Sequence, residues 1–240
     1  MLEILFQDQY LVAINKPHGM VVHRSEYTRD AREFALQELR NQLKQKVYPA
    51  HRLDRKTSGV LTFAFDHKAL RDLQIKFEQR KVKKEYLAIV RGYTEDRGFV
   101  DKPLTKENGN LQEAYTEYST IGRCELDFPS GPHQTSRYSL VKIMPLTGRM
   151  NQIRRHFSHI NHPIIGDRPY GCNKQNKLFK QKYGITSMFL HASKLEFNHP
   201  VTEKNILIEA PLQKVFSDSL KIFNWQYHLT DYFLHLYTKQ

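Results

Sequence analysis

Val60-Leu-Thr-Phe-Ala-Phe65, followed at once by Asp66-His-Lys-Ala-Leu70-Arg-Asp-Leu73-Gln-Ile-Lys-Phe77, switches hydrophobic period within one residue. The first six residues are a short, bulky apolar run and read as a buried strand. Leu70, Leu73 and Phe77 then recur at helical spacing, and Asp66 stands where an N-cap is needed. On the N-terminal side, Leu2 to Phe6 and Tyr10 to Ile14 read as strands around Asp8-Gln9. Residues 31–47 read as an amphipathic helix, with Asp30 as cap, Glu33 three residues later, and Phe34, Leu39, Leu43 and Val47 on one stripe. On the C-terminal side, Tyr86 to Val90 and Arg137 to Ile143 read as strands. Met150, Ile153, Phe157 and Ile160 mark a third helix for which Thr147 is a fair cap. Phe189 to Phe197 and Ile206 to Ala210 read as paired strands across a turn at His199-Pro200, and Val215, Phe216, Leu220 and Phe223 as a closing helix. Residues 101–135, with turn signals at Asn108-Gly109 and Ser130-Gly131-Pro132, read as a loop-rich insertion on the sheet. Many strands with a few interspersed helices make a mixed α+β domain, expected over 1–225 as one unit. Residues 226–240 form an extension without a motif.

Composition narrows the function. The chain has 240 residues, 37 Lys or Arg against 25 Asp or Glu, and a formal net charge of +12. With 40% hydrophobic residues and 12% aromatics, disorder and fibrous classes are excluded. No apolar run reaches the roughly 18 residues of a membrane span. The N-terminus carries acids where a secretory signal would carry basic residues. Two cysteines without a C-x-x-C pair exclude a disulfide scaffold and a cysteine zinc site, and suit a reducing cytoplasm. The excess of Lys and Arg points to a polyanionic partner, because such side chains gain affinity by displacing counterions from phosphates.

Two segments concentrate chemistry. In His51-Arg-Leu-Asp-Arg-Lys-Thr-Ser-Gly59, Asp54 lies between Arg52 and Arg55. Nearby opposite charge favours the ionised carboxylate, so Asp54 is either a nucleophile or base beside a phosphate-binding surface, or a partner in ordinary loop ion pairs. In Pro145-Leu-Thr-Gly-Arg-Met-Asn-Gln-Ile-Arg-Arg-His-Phe157 the helical period separates two neighbouring arginines. With Ile153 at zero, Arg154 lies at about 100°, the edge of the apolar stripe, and Arg155 at about 200°, the opposite face. An arginine at a stripe edge becomes partly buried and needs a carboxylate; Arg155 is a solvated or phosphate-facing charge. His156, His159 and His162 recur every three residues, but without companion cysteines or acids they read as solvated side chains that assist RNA contact, not as metal ligands. Tyr86 is either a cross-strand packing residue or an aromatic platform for an unstacked base. No P-loop, G-x-G-x-x-G or G-x-S-x-G is present.

Several motifs, in order, resemble those of one enzyme family. Leu11-Val-Ala-Ile-Asn-Lys-Pro-His-Gly-Met-Val-Val-His23, His51–Gly59, Thr147-Gly-Arg-Met-Asn-Gln-Ile-Arg154 with His162-Pro-Ile-Ile-Gly-Asp167, and Leu190-His-Ala192 with His199-Pro200 are similar to the motifs of the pseudouridine synthases of the ribosomal-and-tRNA A class. The opening Leu2-Glu-Ile-Leu, Arg154-Arg-His156 and the stretch after Gly171 are most similar to the members that act on uridine 65 in the T-stem of tRNA. The sequence departs from the family at Met150-Asn151, where a small polar residue and His are usual, and at Lys56, where Pro or Asp is usual. No S4-type RNA-binding module is expected ahead of the first motif.

The resemblance implies a mixed, largely antiparallel sheet with flanking helices and a central RNA-binding cleft. It implies Asp54 as catalytic carboxylate, Arg52 filling the gap left by a flipped base, Tyr86 stacking on the uracil and assisting removal of the C5 proton, and Arg154 pairing with Asp54. Arg52, Arg55, Arg149 and Arg155 are the expected RNA-binding residues. The reaction is an isomerisation, so no cofactor, metal or nucleotide is required. The expected partner is structured RNA, most of all tRNA, bound by a monomer in the cytoplasm, with no role for DNA or membrane. A sibling enzyme acting on ribosomal RNA and a non-catalytic RNA-folding protein are the competing readings.

Overall fold

The computed structural model describes residues 1–24, 31–129 and 133–225. In chain order the elements are β1 (Glu3–Gln7), β2 (Leu11–Lys16), α1 (Ala35–Leu43), β3 (Tyr48–Pro49), β4 (Ser58–Ala64), α2 (His67–Glu78), β5 (Lys83–Arg91), β6 (Arg97–Asp101), β7 (Leu104–Thr105), β8 (Leu111–Gln112), β9 (Tyr115–Leu126), β10 (Ser136–Pro145), α3 (Gln152–His159), α4 (Asn173–Tyr183), β11 (Leu190–Asn198), β12 (Asn205–Glu209) and α5 (Lys214–Ile222). The architecture is α+β, as expected. The chain forms two compact units, Met1–Lys84 with Ala192–Pro211, and Glu85–His191 with Leu212–Gln240. Two of the three crossings between them fall inside a strand, β5 and β11, and the third, Pro211 to Leu212, lies between β12 and α5. Among the described residues no helix is long and apolar enough to cross a membrane.

In the first unit β2 is antiparallel to β1 and to β4, with Leu11 opposite Ala64 and Lys16 opposite Gly59. Every residue of β2 and β4 is buried, which is why their sequences are near-continuous apolar runs and not alternations. Leu73 of α2, Phe197 of β11 and Ile208 of β12 complete this core. Asp66 caps α2 as expected, its carboxylate accepting from Ala69 N at 2.8 Å. At Gly59 φ is +106°, and a Cβ there would lie 2.1 Å from the carbonyl oxygen of Ala192. Only glycine lets β4 begin so close to β11.

The second unit is built on β5, β10, β9 and β6, each antiparallel to its neighbour. Alternation along β5 serves two cores. Leu87 and Ile89 join Phe179 of α4, Phe216 and Leu220 of α5 and Trp225. Ala88 and Val90 face Ile153 and Phe157 of α3.

Several expectations are corrected. The helix expected over 31–47 is only Ala35–Leu43: Phe34 is its extended N-cap and Lys44 ends it with φ +55°. Glu33 therefore has no helix to cap, Val47 lies beyond it, and Asp30 falls outside the described residues. Thr147 does not cap α3; Asn151 does, with φ +55° and no side-chain cap bond, and Met150 lies outside the helix and exposed. Residues 101–135 are not mainly loop, because they contain the 12-residue β9, paired on both sides. The turn at 130–132 and the extension 226–240 lie outside the described residues.

Candidate active site

In the first unit Asp54 sits on the loop between β3 and β4. Leu53 is buried and anchors it, and Thr57 N donates to Asp54 O at 3.0 Å. The loop is tied to the first motif: Gly19 N donates to Arg55 O at 2.9 Å, and Arg55 Nε returns a bond to Gly19 O at 3.2 Å. Between the two segments lies Lys16, fully buried. Its Nζ donates to the carbonyls of Pro17 (2.9 Å), Met20 (2.8 Å) and Arg55 (3.2 Å). Burial lowers its pKa to about 7, against the opposing charge of Asp54. The sequence signal for Lys16, which the motif alone gives no role, is a lysine at the end of an apolar strand. Arg52 and Arg55 are exposed.

Two histidines frame this loop as neutral groups. Burial, then the charges of Lys16 and Lys56, lower His18 to about 4. Burial, then the charge of Lys84, lower His51 to about 4, partly opposed by a bond with the Arg52 backbone. His51 Nε2 accepts from Thr62 N at 3.1 Å, which requires the unprotonated nitrogen. Both folded values lie below the unfolded value, so the unfolded chain binds more protons between pH 6.5 and 4. Stability is therefore expected to fall as pH drops through that window, by about 1–3 kcal/mol for the lost His51 bond. Denaturation midpoints measured from pH 7 to 4 check this. A His51→Gln variant should lose clearly less on acidification, and an unchanged slope would contradict it.

In the second unit α3 carries Arg154, which is 8% exposed. Within this unit the carboxylate that holds Arg154 is Asp167, itself fully buried; the Asp54 named from the resemblance belongs to the first unit. Arg154 Nε donates to Asp167 Oδ2 at 2.7 Å and NH2 donates to Oδ1 at 2.9 Å. NH1 donates to Asn151 Oδ1 at 2.5 Å, and the guanidinium carbon lies 5.1 Å from the Tyr170 ring centroid. Asp167 closes the motif that begins at His162, and no local pattern in the sequence marks it as the partner of Arg154.

The start of α3 is locked to β9 through buried Gln152. Its Oε1 accepts from the Thr147 hydroxyl (2.7 Å) and Arg149 N (3.0 Å), and its Nε2 donates to Tyr115 O and Thr116 Oγ1, both at 2.9 Å. Arg149 is half-buried, with Nε donating to Glu113 O at 2.9 Å. Arg155 lies on the other side of the helix from Ile153, as expected, but it is half-buried and NH1 donates to Thr105 O at 3.1 Å.

The histidine reading needs correction. His156 is not solvated but fully buried, with Nδ1 at 2.9 Å from Thr116 Oγ1 and Nε2 at 3.0 Å from Lys102 O. A carbonyl only accepts, so Nε2 carries the proton, and burial first of all lowers the pKa of the ring. Both nitrogens are thus engaged in holding α3. His162 bonds Arg91 O at 2.9 Å, and His159 is exposed. Tyr86 lies on β5 opposite Ile143, half-buried against the α3-side cluster.

A family model described as RNA pseudouridylate synthase matches residues 10–159. The tRNA pseudouridine synthase C of Pasteurella multocida (strain Pm70) is 44% identical over 235 residues, spanning 93% of this chain and 97% of that protein. The tRNA pseudouridine synthase C of Haemophilus ducreyi is 44% identical over 242 residues, spanning 97% and 99%. Among solved structures, Human RNA Pseudouridylate Synthase Domain Containing 4 is similar with a TM-score of 0.70 and 26% identity, covering 92% of this chain and 93% of its own. Human RNA Pseudouridylate Synthase Domain Containing 1, at 23% identity and a TM-score of 0.72 over 91% and 87%, shares the fold.

Proposed function

Since the chain belongs to the RNA pseudouridylate synthase family and is a pseudouridine synthase, we propose that its substrate is tRNA and its target uridine 65 in the T-stem. The observation that carries the tRNA assignment is identity of 44% across nearly the whole chain to relatives named tRNA pseudouridine synthase C. The target uridine rests on the resemblance of Leu2-Glu-Ile-Leu, Arg154-Arg-His156 and the stretch after Gly171 alone.

In this reading Asp54 is the catalytic carboxylate. The N1–C1′ bond of the uridine breaks, the uracil turns while enclosed, and a C5–C1′ bond forms. C5 loses its proton and N1 gains one, so no outside group is consumed. Attack on the base, attack on C1′ and removal of a ribose proton all require an ionised carboxylate held beside the sugar. Tyr86 stacks on the uracil and assists departure of the C5 proton, and Arg154 pairs with Asp54. A base in a stem is reached only by flipping, at a cost of a few kcal/mol. Arg52 fills the gap that flipping leaves, while Arg55, Arg149 and Arg155 hold phosphates. The net charge of +12 favours such contacts. The enzyme acts in this reading as a cytoplasmic monomer.

Mapping pseudouridine across total RNA from cells lacking the protein tests the substrate. Loss of one T-stem pseudouridine in tRNA is expected. An intact T-stem with a pseudouridine missing from ribosomal RNA would overturn the tRNA assignment.

A further inference from the structure

Resting on the role given to Arg154 above, we propose that Asn151 and Asp167 are positioning residues: they fix the guanidinium of Arg154 in one orientation and so set the rate of the glycosidic exchange without adding to RNA affinity.

The guanidinium is held on two edges and one face. Asp167 takes the Nε–NH2 edge in a bidentate pair at 2.7 and 2.9 Å, Asn151 takes NH1 at 2.5 Å, and the Tyr170 ring lies against the plane. Bidentate pairing fixes direction as well as distance. The holders are themselves held. Gly166 N donates to Asn176 Oδ1 at 2.8 Å, and Asn176 Nδ2 donates to Asp167 O at 2.6 Å, so α4 pins the turn that presents Asp167. At Gly166, φ is +83° and a Cβ would lie 2.0 Å from Ser187 O, so the turn closes only with glycine.

Asn151 reaches Arg154 because its φ of +55° turns the side chain back over the start of α3. Asparagine is among the few non-glycine residues that tolerate this region. Stability does not explain the arrangement, because a buried ion pair is commonly matched or bettered by apolar side chains of similar volume. Geometry does explain it: small misplacements of a catalytic group cost rate far more than binding.

The full chain is assayed on an unmodified tRNA transcript, reading single-turnover rate at saturating enzyme, RNA Kd and melting temperature for each variant. Asn151→Gly keeps the left-handed backbone at no steric cost and removes the acceptor for NH1 together with the long 3.5 Å bond from Nδ2 to the Tyr170 hydroxyl. It should turn over about 10–100-fold more slowly, with Kd within about threefold and melting nearly unchanged. Asn151→Asp keeps the acceptor and should stay close to the wild-type rate. Arg154→Ala should lose turnover and melt lower, and adding Asp167→Asn should restore melting but not turnover, since it removes the stranded charge and not the missing cation. A wild-type rate for Asn151→Gly beside an inactive Arg154→Ala overturns the positioning role alone; a wild-type rate for Arg154→Ala overturns the role of Arg154 itself. A fall in affinity as large as the fall in rate, or an Asn151→Asp variant as slow as the glycine variant, also overturns it.

Discussion

Asp54→Asn is expected to slow pseudouridine formation by about four orders of magnitude or more, the scale seen when a group central to the chemistry is removed, while RNA affinity stays within a few-fold. The substitution is nearly isosteric, and several groups other than the carboxylate hold the loop. Buried Leu53, the Thr57 N bond to Asp54 O and the paired Gly19 and Arg55 bonds hold the backbone. What disappears is the negative charge. Because Asp54 raises the pKa of Lys16 against burial, the same variant should lower that pKa below its value of about 7, reporting the lost charge independently of activity. Turnover at a tenth of the wild-type rate would remove Asp54 as the catalytic group.

Arg154→Ala and Arg155→Ala should fail in opposite ways, although the residues are adjacent. Arg154→Ala strands the fully buried Asp167 carboxylate. That should cost about 3–5 kcal/mol of folding or transition-state free energy, with little change in the salt dependence of binding. Arg155 is half-buried, and its NH1 donates to a neutral carbonyl, Thr105 O. Its alanine variant should lower the salt slope of RNA binding by about one unit and leave turnover at saturating RNA nearly normal. Binding across a salt series, with single-turnover rates, checks both. Similar behaviour of the two variants would contradict the different roles assigned to them.

The parts of the fold that were legible were those whose burial is one-sided or complete. The apolar run of β4, the Asp66 cap and the stripe of Ile153 and Phe157 each have one cause, and each appears where expected. Strand β9 was missed because, of its inward positions Thr116, Tyr118 and Gly122, only Tyr118 packs in the apolar core, while Thr116 is held by a hydrogen bond and Gly122 is small, so no apolar alternation shows. Helix α4, Asn173-Lys-Gln-Asn-Lys-Leu-Phe-Lys-Gln-Lys-Tyr183, was missed because Phe179 and Gln175 are its buried residues and no apolar stripe repeats. In the candidate site the need of Arg154 for a carboxylate was readable from helical angle alone. That Asp167 meets it was not, since 13 residues separate the two and only the folded turn joins them. His156 misled for a related reason: two carbonyl- and hydroxyl-based partners 54 and 40 residues away make a histidine a core residue, and neither is visible in a local pattern.

The most direct test of the account follows the C5 hydrogen. The purified chain is incubated with an unmodified tRNA transcript carrying tritium at C5 of its uridines, and released tritium is counted against tRNA. One equivalent per tRNA, lost when uridine 65 is replaced by cytidine and absent with Asp54→Asn, is the predicted result. No release from a folded transcript, or release that survives either substitution, would contradict it.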